Sequence, residues 1–185
     1  MKRIALTLIC FFSLFVNAQT SSGLISFEKL LELKGTPYLL GFVINMTTLG
    51  DVNTMSLMSI NSSTGKTETV DLPRGAMLID FKQVKIDKIE VNCVVVLARI
   101  YDADNNNRIN PRDPISLFIV SPDGKQKTDL TTSDYSVRLW EVNEVTGNLV
   151  VTGFYDTNKN GRYDYSEKNE IQIFDLKTLT LIHKY

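Results

Sequence analysis

The chain has 185 residues, 43% hydrophobic, 22% charged and 9% aromatic, with 20 Lys+Arg against 21 Asp+Glu. That apolar fraction excludes a disordered chain and a polytopic membrane protein, and the balanced charge supplies no basic surface for nucleic acid. Two cysteines build no disulfide scaffold, and the one histidine, His183, builds neither a multi-His metal site nor a His-centred active site.

Residues 1–18 read as a secretory signal peptide. Lys2 and Arg3 form the positive start, Ile4 to Val16 is nearly all apolar, and Val16-Asn17-Ala18 places small residues where a signal peptidase cuts. Cleavage is expected before Gln19, with export to the periplasm or beyond and no integral membrane span left. Cys10 leaves with the leader. Cys93 stays, inside the run Val91-Asn92-Cys93-Val94-Val95-Val96, where a cysteine is expected to be buried and inert.

From residue 19 to 185 a single domain is expected. Short runs of Val, Ile, Leu, Phe and Tyr are bounded by Gly, Asn, Asp and Ser, which is the punctuation of strands. The first unit, about 24–72, opens with residues 24–33, where Phe27, Leu30, Leu31 and Lys34 also fit a short helix. Tyr38 to Asn45 is the next apolar run, followed by an alternating stretch from Thr54 to Asn61, a Ser-Ser-Thr-Gly turn and a short last strand. The second unit, about 78–131, repeats the order: Leu78 to Ile86, Val94 to Tyr101, a polar loop, Ile115 to Val120, the turn Ser121-Pro122-Asp123-Gly124 and a last strand. The third, about 136–185, runs Val137 to Val142, Leu149 to Tyr155, a polar loop, Ile171 to Leu176 and a closing strand. Tyr101-Asp102 and Tyr155-Asp156 mark corresponding places 54 residues apart.

The expected fold is therefore all-β: about three four-stranded antiparallel repeat units with propeller-like grading from buried to exposed strands, the alternative being a β-sandwich. The second strand of each unit, nearly all apolar, is expected to be buried on both faces. Propellers have four to eight blades. Three units therefore fall short of a ring, and exposed end strands predict a homodimer or a cap supplied by a partner.

The two polar loops carry the chemistry. Asp156 to Glu167 follows the calcium-loop pattern throughout, with Asp156, Asn158 and Asn160 at positions 1, 3 and 5. Gly161 is at position 6, the Arg162 carbonyl at 7, Asp164 at 9 and Glu167 at 12. Such spacing folds six to eight oxygens around a hard cation, so Ca2+ is the expected cofactor. The loop Asp102 to Asp113 is a second version, with Asp102, Asp104 and Asn106 first, then Asn107 in place of glycine, the Arg108 carbonyl, Asn110 and Asp113. Asn and Asp are also ordinary turn residues.

Strands, not helices, flank both loops, so they resemble EF-hand loops in ligand order only. With the Ser-Pro-Asp-Gly turn, the order strand, acidic loop, strand resembles the TolB-like six-bladed propeller proteins with EF-hand-like calcium loops, most clearly over residues 92–185. The resemblance implies propeller blades and calcium. It does not carry over that family's central channel, because three units are present rather than six.

No Gly-rich phosphate loop, nucleophile elbow or His-Glu-x-x-His motif is present. Trp140 reads as packing, Tyr163 and Tyr165 as braces of the second loop, and His183 as a surface residue. The expected function is an exported, non-catalytic calcium-binding module for a protein or glycan partner. The alternative is a calcium-dependent exported hydrolase using the loop carboxylates.

Overall fold

The computed structural model describes residues 24–46, 52–160, 163 and 166–185. Twelve strands fill it: β1 (Leu24–Glu32), β2 (Tyr38–Met46), β3 (Val52–Asn61), β4 (Thr67–Asp71), β5 (Met77–Ile86), β6 (Val91–Arg99), β7 (Ser116–Val120), β8 (Lys127–Asp129), β9 (Tyr135–Asn143), β10 (Asn148–Tyr155), β11 (Lys168–Asp175) and β12 (Thr180–Lys184). One three-residue 3-10 turn, Asp87–Ile89, joins β5 to β6. Residues 24–32 are strand rather than helix. Antiparallel pairing to β2, with Leu31 opposite Leu40, satisfies their backbone in a way an isolated helical turn would not.

Each run of four strands forms its own meander. The sheets are β1-β2-β3-β4, β5-β6-β7-β8 and β9-β10-β11-β12, here called the first, middle and third. They repeat in register. Each first strand carries one extra residue, Glu28, Ile79 and Arg138, opposite the junctions 42/43, 97/98 and 152/153 of the second strands. Those junctions are 55 residues apart. The Tyr-Asp pairs are 54 apart because the third unit is one residue shorter between bulge and loop.

Two apolar layers hold the sheets together. Leu33, Leu40, Leu57 and Val70 of the first sheet meet Val94, Val96, Phe118 and Val120 of the middle one. The other face of the middle sheet, with Val95, Leu97, Leu117 and Ile119, meets Tyr135, Val137, Leu149, Val151 and Phe174 of the third. Among the described residues, only the middle sheet has another sheet on both sides. β7 is buried along its whole length and β6 nearly so, whereas two thirds of the β2 positions and half of the β10 positions are only partly buried. The expectation of two buried faces therefore holds for one second strand of the three: an apolar sequence makes a strand fit for burial, and a neighbouring sheet decides whether burial happens.

Polar links fix the spacing of the sheets. The Gln83 side chain accepts from Lys34 N at 2.8 Å and donates to Lys34 O at 3.0 Å, and Lys29 pairs with Asp80 at 2.9 Å. Ser59 Oγ donates to Pro122 O at 2.6 Å, seating the β7–β8 turn on the first sheet. Gly124 in that turn has φ +74°, and a Cβ there would lie 2.8 Å from the Ser59 Cβ. We expect Gly124→Ala to cost about 2 kcal/mol, from left-handed strain together with that overlap. Thermal denaturation checks it, and an unchanged midpoint would contradict the seating.

Cys93 is buried in the layer between the middle and third sheets, and burial pushes its thiol pKa up to about 11. A group whose folded pKa is raised contributes stability that is complete below its unfolded value and lost as pH rises through the folded one. Melting temperature is therefore expected to fall between roughly pH 9 and pH 11. Melts across that range should show a smaller loss for Cys93→Ala than for wild type. Trp140 packs on the edge of the same layer with Lys82 Nζ 5.7 Å from its ring centroid, and His183 is exposed on β12.

Candidate metal loops

Both loops leave the same end of a central strand, β6 in the middle sheet and β10 in the third. Each must reverse direction into β7 or β11, and short polar side chains do this by accepting the loop's own backbone N–H groups.

In the 102–113 loop the position-12 carboxylate is the clamp. Asp113 is 1% exposed and accepts from Ala103 N at 3.0 Å and Asn110 N at 2.7 Å. Asn106 N donates to Asp102 Oδ1 at 3.1 Å and to Asp104 Oδ1 at 3.2 Å. Oxygens of Asp102, Asp104 and Asp113 lie within 4.8 Å of one another. Asn106 Nδ2 donates to Asp104 at 2.7 Å, Asn110 Nδ2 to the Arg108 carbonyl at 3.3 Å, and Asn110 Oδ1 accepts from Arg112 N at 2.9 Å. Asn107, in the glycine position, has φ 65°, the left-handed backbone that the pattern requires there.

The 156–167 loop repeats three of these bonds among its described residues. Glu167, 4% exposed, accepts from Thr157 N at 2.8 Å, as Asp113 does from Ala103. Asn160 N donates to Asp156 Oδ1 and Asn158 Oδ1, both at 3.0 Å, as Asn106 does to Asp102 and Asp104. Glu167 also accepts from Thr157 Oγ1 and Asn158 Nδ2, each at 2.5 Å. Gly161, Arg162, Asp164 and Tyr165 lie outside the described residues, so the structure speaks to four of the six ligand positions in this loop. The donors at both loops are uncharged amides or anionic oxygens with no nitrogen or sulfur ligand, a set that fits a hard cation.

Two residues that sequence spacing did not single out, Asp134 and Arg99, join the loops. A cavity of about 630 Å³ between the loops is lined by Asp102, Asp104 and Asp156 together with Asp134, which comes from the β8–β9 connection. Tyr163 closes its floor and donates to Ser133 O at 3.1 Å, the brace expected of it. Burial, then the nearby charges of Asp156, Asp134, Asp113 and Glu167, push its pKa up to about 12. Arg99 donates to the Asp113 carbonyl. Burial holds its guanidinium below its ordinary value, opposed by the Asp113 charge. Arg99, Arg112 and Arg138 line a second cavity of about 550 Å³ beyond Tyr163. Nothing in the sequence points to Asp134, which reads as one more turn aspartate.

No protein-family profile matches the chain, and no curated protein matches it. Among solved structures it is similar to Pyrococcus horikoshii acylaminoacyl peptidase in an orthorhombic crystal form, at 9% identity and a TM-score of 0.47, over 88% of this chain and 25% of that one. It is also similar to cobalt-substituted Synechocystis ACO, at 14% identity and a TM-score of 0.39, over 87% of this chain and 37% of that one. The chain thus spans well under half the length of either, and at this level of similarity no activity is transferred from them.

Proposed function

We propose that the protein is an exported, non-catalytic β-repeat module that binds calcium through both loops and serves binding or scaffolding. One observation carries the reading: three carboxylates, Asp102, Asp104 and Asp113, converge within 4.8 Å at pattern positions 1, 3 and 12. Like charges so close oppose the fold unless a cation neutralises them. Asp102, Asp104, Asn106, the Arg108 carbonyl, Asn110 and Asp113 would hold one ion. Asp156, Asn158, Asn160, the Arg162 carbonyl, Asp164 and Glu167 would hold the other. Calcium supplies charge neutralisation and ties the end of one strand to the start of the next.

The same reading places the chain with TolB-like propellers carrying EF-hand-like loops, outside the cytosol, with a protein or glycan as partner. Millimolar external calcium suits sites of modest affinity. The hydrolase alternative has less behind it, since the buried loop carboxylates are engaged by loop N–H groups and His183 stands apart on β12. Among the described residues no helix is long and apolar enough to cross a membrane. Isothermal calorimetry with calcium chloride tests the proposal. Saturable binding supports it, and no binding at millimolar calcium overturns it.

A further inference from the structure

The repeat assigns a direction to every sheet face. Leu40, Val95 and Val150 occupy one position at steps of 55 residues. Leu40 packs toward the middle sheet and Val95 toward the third, so Val150 marks the corresponding forward face of the third sheet, against which no other described strand packs. The backward positions are Gly41, Val96 and Val151. Val96 meets the first sheet and Val151 the middle one, so Gly41 marks the backward face of the first, against which likewise no other described strand packs.

Both open faces have the chemistry of the buried ones. On the middle sheet's forward face, Val95 pairs with Ile119 and Leu97 with Leu117; on the third sheet's, Val150 pairs with Ile173 and Thr152 with Ile171. On the middle sheet's backward face, Val96 pairs with Phe118; on the first sheet's, Gly41 pairs with Met58, and Phe27 and Leu30 lean over the glycine, 3.2 and 3.7 Å from where a Cβ would stand. Yet Phe27 is 54% exposed, Leu30 57% and Ile171 42%, while Val43 and Ser56, on the same backward face as Gly41, are buried.

We infer that these two faces are complementary halves of one interface, and that a second copy of this chain fills both. A contact already made twice within the chain is completed by its own free ends: the forward face of one copy's third sheet takes the backward face of the other's first sheet. Such a head-to-tail contact must close or run on as a fibre. Sheets stacked in this way close in rings of four to eight. One copy supplies three sheets and three copies nine, so two copies close the ring. Side-by-side pairing of end strands is not what joins them: whole faces do. The inference is independent of the metal loops.

Sedimentation of the purified protein tests it. Wild type is expected to be a dimer at micromolar concentration, and Leu30→Glu and Ile171→Lys are each expected to be monomeric with unchanged circular dichroism. Mixed in equal amounts, the two variants should dimerise again. In the mixed pair one contact carries no substitution and the other sets glutamate against lysine. Leu139→Lys, on the same open face and 66% exposed, replaces Ile171→Lys if that variant does not fold. A monomeric wild type overturns the inference, whether or not another protein binds it. So does a dimer that survives either substitution, or a mixture that stays monomeric.

Discussion

Millimolar calcium is expected to raise the melting temperature of the wild-type protein, and Asp156→Ala is expected to remove most of the rise due to the second loop. At about tenfold excess over Kd, the most that millimolar calcium gives a site of modest affinity, binding to the folded state alone stabilises by about 1.4 kcal/mol. For a chain of this size that is roughly 3–6 °C. Glu167 stays in place in the variant, because Thr157 and Asn158 hold it rather than Asp156. Asp156→Asn keeps an acceptor for Asn160 N while removing the charge, so it separates loss of the ion from loss of the turn. Asp102→Ala should remove a smaller share, since its loop ends in the shorter Asp113. Scanning calorimetry with calcium and with chelator decides the matter. If calcium leaves the wild-type midpoint unchanged, or Asp156→Ala responds as fully, the loops are turns and nothing more.

Phe118→Ala should cost about 3–5 kcal/mol, the range for emptying a fully buried aromatic site. Phe118 is 0% exposed, between Val96 on its own sheet and the first sheet, with Lys127 Nζ 4.7 Å from its ring centroid. Backbone on both sides is fixed by neighbouring strands, so collapse around the void is limited. Phe27→Ala deletes a ring of the same size from the open face of the first sheet and should cost far less in the monomer. Urea denaturation of the two variants gives the comparison directly, and equal losses would mean that the open face is not open.

Strand order and the alternation of faces were legible because a period of two leaves its mark in every run: Met55, Leu57 and Ser59 do face the middle sheet, as their alternation suggests. The bulges were not legible. Glu28, Ile79 and Arg138 share no side-chain character, since a bulge is chosen by the partner strand's register, and this hid the 55-residue step behind the 54-residue spacing of the Tyr-Asp pairs. Residues 24–33 were ambiguous because Phe27, Leu30 and Leu31 satisfy either period, and only pairing to β2 decides. At the loops the order of oxygens was readable. The clamp of position 12 on the position-2 N–H was not, and neither was the approach of Asp134 and Arg99, which are brought there by other turns and strands of the fold.

A middle sheet covered on both faces makes the chain a short one-dimensional array, in which energy passes only between neighbours. Losing the first or the third sheet breaks one interface and leaves a joined pair. Losing the middle one breaks both and strands two four-stranded sheets, each with two bare faces. The middle sheet is thus the keystone through which the outer two sense each other, since among the described residues they share no apolar layer of their own. Within one copy, a loosening at β7 reaches the first and third sheets at once, since Phe118 and Val120 face one and Leu117 and Ile119 the other.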